Sequence, residues 1–73
     1  MNFEKEIEEA RLLLAKRVKR YRELRGYTQG ELAGIMGCAS RVVSEVEGAK
    51  RNITIKQLSI FAAALGITPR DLF

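Results

Sequence analysis

The chain has 73 residues, 47% of them apolar and 30% charged, with a formal net charge of +4. A chain of this length forms one small domain, which buries only about 60% of the surface that it exposes when unfolded. No apolar run reaches the roughly 20 residues of a membrane span, and the acidic start MNFEKEIEEA lacks the pattern of a signal peptide. We expect a single cytoplasmic domain over residues 1–73, with residues 1–12 extending its first helix.

The residue types that build most enzyme and metal sites are rare in this chain. It has no histidine and a single cysteine, Cys38. An internal disulfide is therefore excluded, and a His/Cys metal cluster is not expected. Without a histidine, a Cys/His pair or a glycine-rich phosphate loop, we also expect no enzymatic activity and no cofactor.

The charge is distributed unevenly along the chain. The first nine residues carry a net charge of −3, so the other 64 carry +7. A surface this basic attracts polyanions, nucleic acid first and anionic membrane second. The same side chains would also suit solvated helix faces, so charge alone leaves both interpretations open.

The first predicted helix covers about residues 3–25. Its apolar residues recur at intervals of three and four, as on one stripe of a helix. They are Phe3, Ile7, Ala10, Leu14, Val18, Tyr21 and Leu24. The charges of this segment run from acidic to basic, which complements the helix dipole, and Gly26 supplies a C-terminal stop.

Two short helices are predicted next. Thr28 and Glu31 form a capping box that begins a helix ending at Met36, and a second helix covers about residues 40–47. Between them lies Gly37, which ends the first of these helices.

These two helices have the features of a helix-turn-helix. Because such helices cross steeply, a small residue is needed where they touch and a glycine where the turn takes a positive φ. Ala33 and Gly37 meet these needs, and Val43 and Val46 form part of the shared underside. The outward side of the second helix, which would enter a major groove, carries Ser40, Arg41, Ser44 and Glu45.

The remaining segment predicts two more helices. Thr54 and Gln57 form a second capping box, and the helix that follows runs to Leu65, with Gly66 as its stop. Its inward residues are predicted to be Ile55, Leu58, Phe61, Ala62 and Leu65. A further start signal, with proline at the first helical position, lies at residues 68–71. Five helices and no strand pattern predict an all-α bundle.

Three stretches in fixed order carry a resemblance to a known family. They are RVKRYRELRGYTQGELAGIMG, RVVSEVEGAKRN and TIKQLSIFAAALGITPRDLF. From Arg17 to Phe73 the chain resembles helix-turn-helix proteins of the phage repressor and Cro type, the Cro/C1 or xenobiotic-response-element family. The resemblance implies a five-helix bundle of the lambda-repressor-like type with a central helix-turn-helix. It also implies double-stranded DNA, and not a membrane, as the partner.

The resemblance also implies a set of DNA-binding positions. They are Thr28, Gln29, Ser40, Arg41, Ser44, Glu45, Lys50, Arg51 and Asn52. Gln29 matches a residue that contacts phosphate or packs against the first side chain of the recognition helix, which is the second helix of the pair. Residues 50–52 match a loop that follows the phosphates. The resemblance further implies that Arg22 and Glu47 form a buried structural ion pair, and that Tyr21 and Tyr27 face the core.

Chemistry supports these positions unequally. Arg41 is the strongest base reader, because a guanidinium can bond guanine O6 and N7 together, worth about 1 to 3 kcal/mol of discrimination. Glu45 can either accept from cytosine N4 or steer Arg41, its i,i+4 neighbour, and both roles stay open. Lys50 and Arg51 are expected to give sequence-independent, salt-dependent affinity.

The chain departs from the family pattern around the recognition helix. Ala39 stands where the family has a Ser or Thr cap, an exchange that typically costs about 1 kcal/mol, and Ser40 is a candidate to replace it. The order Gly48-Ala49 inverts the usual one. Cys38 in the turn is either a small apolar filler or a thiol switch, since an exposed thiolate beside Arg41 would be reactive.

Exposed apolar residues suggest a homodimer. Ile35, Ile60 and Ala63 fall where the family has polar surface, which indicates contact with a partner. The implied interface consists of Ile60, Ala63, Ala64, Leu72 and Phe73. Such a dimer would set two recognition helices one DNA turn apart, about 34 Å, and prefer a pseudo-palindromic operator.

Two functions remain in competition. The first is a sequence-specific transcription regulator, and RNITIKQL together with the small size most resembles controller proteins of restriction-modification systems. A short phage-type repressor fits nearly as well. The alternative is an antitoxin-type interaction module, with a protein partner and autoregulatory DNA binding.

Overall fold

The computed structural model describes residues 1–73 as four α-helices and one 3-10 helix, without strands. The helices are α1 (Glu4–Leu24), α2 (Gln29–Met36), α3 (Ser40–Glu47), α4 (Ile55–Leu65) and the 3-10 helix (Pro69–Leu72). The all-α prediction is confirmed, and each predicted α-helix begins and ends within two residues of its observed bounds. No helix is both long enough and apolar enough to cross a bilayer.

The predicted fifth helix is only a single 3-10 turn, so the expected five-helix bundle is a bundle of four α-helices with this turn attached. The amides of Asp71 and Phe73 donate to carbonyls three residues earlier, those of Thr68 and Arg70. An α-helical bond needs a partner four residues back, so these bonds are those of a 3-10 helix.

The start and stop signals read from the sequence mostly act as expected. The Thr28 hydroxyl accepts from the Glu31 amide at 3.0 Å, and the Glu31 carboxylate accepts from the Thr28 amide at 2.8 Å. Gly37 and Gly66 end α2 and α4 in the left-handed region, at φ 74° and 71°. The two capping bonds between Thr28 and Glu31 satisfy backbone groups that a helix end leaves unpaired.

The start of α3 differs from the expectation. Ala39 is its N-cap and offers no side-chain bond. Ser40 is the first helical residue and makes no capping bond, so the idea that it replaces the missing cap is wrong. A cap residue must have extended φ and ψ, and Ala39, with φ −73° and ψ 146°, already fills that position.

The core lies where α1, α2, α3, α4 and the 3-10 helix meet. Its fully enclosed members include Val18, Leu32, Val43, Val46, Phe61, Leu65 and Leu72, and Tyr21, Tyr27 and Cys38 pack against it. The prediction that both tyrosines face the core is confirmed. Cys38 is half-buried against the same cluster, as expected of an apolar filler.

Several residues placed on the inner side by periodicity are exposed instead. Ile55 is 79% exposed, and Phe3, Ile7 and Leu24 are also exposed. Ile55 is the first residue of α4, and its exposure shows that no other element covers its side chain. The first buried residue of α1 is Leu14, so the N-terminal half of this 21-residue helix extends past the core.

Candidate nucleic-acid interface

Helix α3 is fixed from below by α1 and α2. It packs on both helices, with Val43 and Val46 fully enclosed on its underside. The turn from α2 runs through Gly37 at φ 74°, where a side chain would be strained, and the Cys38 amide closes it by donating to the Ala33 carbonyl at 3.0 Å. A rigid turn and a buried underside orient the opposite face of α3 toward solvent.

That outer face of α3 is open and polar. Ser40, Arg41 and Ser44 are exposed, and the Arg41 side chain is 80% exposed. The predicted DNA-binding positions Ser40, Arg41 and Glu45 therefore lie on one helix, within about one and a half turns. A guanidinium presented in this way has all its donors available.

Glu45 lies between two arginines. Its Oε1 accepts from Arg51 Nη1 at 2.6 Å, and its Oε2 lies 3.9 Å from Arg41 Nε. The contact with Arg41 is therefore loose, and Arg51 is the main partner. Helix spacing pointed only to Arg41 as partner, because Arg51 lies beyond the end of α3 and is brought back by the loop.

The loop after α3 turns through a left-handed alanine. Ala49 has φ 57° and is the one non-glycine residue with positive φ, whereas Gly48 has φ −85°. The inverted Gly48-Ala49 order thus places a Cβ where the backbone favours glycine, at roughly 1 to 2 kcal/mol. The bend is kept by the Lys50 amide, which donates to the Glu45 carbonyl at 2.9 Å, and Lys50 itself is exposed.

Asn52 has a partner that the sequence did not indicate. Its Oδ1 accepts from Arg11 Nε at 2.9 Å and from Arg11 Nη2 at 2.7 Å. Arg11 lies 41 residues earlier, on α1. No periodicity or capping rule relates positions so far apart, so only the packing of α1 beside the loop brings them together.

Arg22 and Glu47 form the predicted ion pair beneath this surface. Arg22 Nε donates to Glu47 Oε2 at 2.6 Å and Nη2 donates to Oε1 at 3.0 Å, with the side chains 11% and 5% exposed. Arg22 Nη1 also donates to the Tyr27 carbonyl at 2.7 Å. The hydrogen bond to Glu47 raises the pKa of Arg22 above its usual value, so this cation is fixed in its charged form.

Gln29 joins the same buried group. Its Nε2 donates to Glu47 Oε1 at 3.1 Å, so one carboxylate links α1, α2 and α3. This bond joins Gln29 to the last residue of the recognition helix and not to its first side chain, so the role that the resemblance implies for Gln29 stays a prediction. Thr28 is exposed and its hydroxyl is engaged in the cap of α2.

The chain matches known proteins over most of its length. A family model described as helix-turn-helix matches residues 18–72. The chain belongs to the helix-turn-helix family. Within it, the chain is of the Cro/C1 type, a class of DNA-binding transcription regulators, in agreement with the resemblance read from its landmarks.

Individual helix-turn-helix proteins give the same picture. Control protein C.SmaI of Serratia marcescens is 38% identical over 53 residues, which are 73% of this chain and 63% of that protein. The restriction-modification controller protein C.AhdI from Aeromonas hydrophila superposes with TM-score 0.83 at 32% identity, over 86% of this chain and 96% of its own. A hypothetical transcription factor NHTF from Neisseria superposes with TM-score 0.84 at 35% identity, over 89% and 76%.

The predicted dimer residues of this helix-turn-helix protein do not lie together. Ile60, Ala63 and Ala64 border one groove, and Phe73 borders a different one. The first groove is lined by Ile35, Met36, Ile60, Ala63 and Ala64, and we call it the α2–α4 groove. The second is lined by Ile7, Ala10, Arg11, Leu14, Arg51, Asn52, Ile53 and Phe73.

Leu72 is a correction to the predicted interface. Its side chain is fully enclosed within the core of the single chain, so it has no surface to offer a partner. The 3-10 helix turns Leu72 inward against α1 and α4, whereas the family resemblance places it on the side used for two-fold pairing. Phe73, the next residue, is exposed.

Proposed function

We propose that this chain is a sequence-specific transcription regulator that binds operator DNA as a homodimer through α3. One observation carries the proposal: Arg41 stands almost fully exposed on a helix that is fixed from below by a buried ion pair. A rigid helix with a free guanidinium suits base reading in a major groove, because the fork can bond guanine O6 and N7 together.

The neighbouring charges fit this role. An acidic group near phosphates is repelled, but Arg51 at 2.6 Å compensates the charge of Glu45. Glu45 can then lie beside a base edge and accept from cytosine N4. Ser40 and Ser44 add hydroxyls that bond either a base or a phosphate, while Lys50 supplies charge that is independent of sequence.

The α2–α4 groove is the proposed dimer surface. Every residue that lines it is apolar, and Ile35 is 53% exposed in the single chain. Pairing two such grooves about a two-fold axis would remove this apolar surface from water. Two α3 helices would then reach successive major grooves about 34 Å apart.

The test is selection of bound sequences from a random pool of double-stranded DNA. We expect an inverted repeat whose half-sites lie about one helical turn apart, and affinity for the selected site that falls steeply as salt rises. If no sequence is enriched from the pool even at low salt, the proposed DNA-binding function is contradicted. Enrichment of a single half-site would remove the dimer and keep the reading function.

The dimer has its own test in sedimentation velocity. Ile60→Glu places a charge in the α2–α4 groove and is expected to give monomers, because an unpaired charge is costly in an apolar contact. Ile55→Glu is the matched control, since Ile55 lies on the same helix but outside the groove. An unchanged dimer in Ile60→Glu would place the interface elsewhere.

Two of the three named relatives suggest which genes are regulated. Both C.SmaI and C.AhdI carry the description of control or controller proteins, which supports a controller of restriction-modification genes over a phage-type repressor. This chain spans 63% of the length of C.SmaI. The selected sequence should then occur upstream of the chain's own gene, beside a nuclease or methyltransferase gene.

An interaction module with autoregulatory DNA binding is the second candidate. The observation that favours it is the exposed apolar surface at the N-terminal half of α1, formed by Ile7, Leu12 and Leu13 together with Phe3, the residue before the helix. A partner protein could cover these side chains. Co-purification with the product of an adjacent gene, lost in Phe3→Ser/Ile7→Ser, would support this function, and an unpartnered chain would contradict it.

A further inference from the structure

We propose that Arg11 is a positioning residue for the loop of residues 51–53, acting through Asn52. By holding the Asn52 oxygen, Arg11 turns the side-chain NH₂ group of Asn52 outward, as a donor for a phosphate of bound DNA. The inference rests on the proposed DNA-binding function and assigns a role to α1 within it. Arg11 lies outside the residues 18–72 that match the family.

The geometry of the contact fixes which end of the amide faces Arg11. A guanidinium carries only donors, so the atom that it holds must be the acceptor. Two donors of Arg11, Nε and Nη2, converge on Asn52 Oδ1 at 2.9 and 2.7 Å. A reversed amide would set NH₂ against the guanidinium and lose both bonds, so the NH₂ group is left on the side away from Arg11.

The outward orientation matters because phosphate oxygens only accept hydrogen bonds. Asn52 is exposed, so its NH₂ group can donate to a phosphate, whereas an outward carbonyl oxygen would be repelled. Amide donors are among the groups that proteins use to fix their register on the DNA backbone. An orientation held before binding also lowers the entropic cost of the contact.

The loop has no other device to set this orientation. No backbone-to-backbone hydrogen bond involves Arg51, Asn52 or Ile53. Arg51 is held by Glu45 on α3, and Ile53 packs against the core. Asn52 is held by Arg11 alone, so three successive residues are each anchored by a side chain, and the middle one depends on α1.

The test measures affinity for a short mixed-sequence DNA duplex at low salt, because a phosphate contact does not depend on sequence. Arg11→Ala is expected to weaken binding about five- to tenfold, which is less than the full worth of a hydrogen bond to a charged group, because Asn52 stays in place but is no longer oriented. Lys16→Ala is the matched control for lost charge, since Lys16 is an exposed cation on the same helix, and it should weaken binding about twofold.

A double-mutant cycle separates positioning from charge. In an Asn52→Ala background, Arg11→Ala should cost no more than Lys16→Ala, because the group that Arg11 positions is gone. Arg11→Lys keeps the charge but not the two-donor fork, so it should still weaken binding. An equal loss in both backgrounds, or full binding by Arg11→Lys, would overturn the inference.

A second readout needs no DNA. The chain has two asparagines, Asn2 and Asn52, so the side-chain NH₂ resonances of Asn52 can be assigned by substitution. In Arg11→Ala these resonances should shift while the backbone amides of α3 stay in place, and unmoved resonances would overturn the inference. Failure of the wild-type chain to bind any duplex would instead overturn the proposed function.

Discussion

Glu45 and Glu47 lie two residues apart on α3, and each accepts an arginine N–H at 2.6 Å, yet the two pairs lie in different surroundings. The Glu47 side chain is 5% exposed and its partner Arg22 11%, whereas Glu45 is 37% exposed and Arg51 31%. Glu47 also accepts from Gln29. Glu45 has a second arginine only at 3.9 Å.

The difference shows that exposure, and not distance, separates a structural ion pair from an exchangeable one. A buried carboxylate that loses its partner is left as an uncompensated charge, which costs several kcal/mol. An exposed one is solvated by water, so its pair contributes about 0 to 1 kcal/mol. Loss of the Glu45 partner is therefore expected to cost little stability, whereas loss of the Glu47 partner is expected to cost much.

The largest expected effect is that of breaking the buried pair. Glu47→Ala leaves Arg22 without its carboxylate and should lower the free energy of unfolding by about 3 kcal/mol. For a domain of this size that shifts the Tm down by more than about 10 °C. Thermal unfolding followed by circular dichroism measures both, and Glu45→Ala, expected to change stability by less than about 1 kcal/mol, is the control. Equal losses would show that exposure does not separate the pairs.

The exposed face should show the opposite behaviour. Arg41→Ala is expected to leave stability unchanged but to weaken binding to the selected operator by about 1 to 3 kcal/mol, with a much smaller loss on mixed-sequence DNA. Competition binding with the two duplexes gives the ratio directly. Lys50→Ala is the matched control, because a phosphate contact should lower both affinities alike. Parallel losses for Arg41→Ala would deny it a base-reading role.

Substitution of Ala49, the left-handed residue in the loop between Glu45 and Arg51, is expected to increase stability. Ala49 has φ 57°, so Ala49→Gly should relieve left-handed strain and raise the free energy of unfolding by about 0.5 to 1 kcal/mol, net of the entropy cost of glycine. Denaturant unfolding measures the change. Ala10→Gly, inside the exposed half of α1, is the control and should lower the free energy of unfolding by about 0.5 to 1 kcal/mol. A destabilised Ala49→Gly would mean that the site is unstrained.

The smallest expected effect concerns the carboxylate of Asp71, whose main partner is Thr68 and not an arginine. The backbone amide of Thr68, and then its hydroxyl, lower the pKa of Asp71. A lowered folded-state pKa contributes stability above the unfolded value, near pH 4, and that stability is lost as the pH falls through the folded value. Asp71→Asn should therefore flatten the acid limb of stability below about pH 4, and an unchanged limb would contradict this.

Much of this molecule can be predicted from local rules in the sequence. Capping boxes at Thr28 and Thr54, glycine stops and helical spacing act within one or two turns, so the four α-helices are placed within two residues of their observed bounds. The pairing of Arg22 with Glu47 came from the family resemblance, since a separation of 25 residues has no local signal.

The features that the sequence did not predict depend on how the ends of the helices are placed in three dimensions. Helical periodicity predicts that Ile55 is buried, because Ile55 lies on the same face of α4 as the core residues. Periodicity does not show whether another element covers the first turn of that face. Leu72 is assigned to the dimer surface by the family resemblance alone, whereas the 3-10 turn that ends the described fold carries its side chain into the core. The bond of Arg51 to Glu45 depends on the left-handed conformation of Ala49, which no sequence rule predicts for an alanine. The bond of Arg11 to Asn52 depends on the length of α1 and joins residues that are 41 positions apart.

The three side-chain anchors of residues 51–53 have a consequence for protein engineering. A recognition helix and its loop are the natural unit to graft onto another scaffold when a new operator is wanted. Here that unit is not contiguous in sequence, because Asn52 in the loop is held by Arg11 on α1. A graft of residues 28–54 alone would carry the amide without the group that orients it, whereas a graft that also places an arginine at position 11 would keep the reading surface intact.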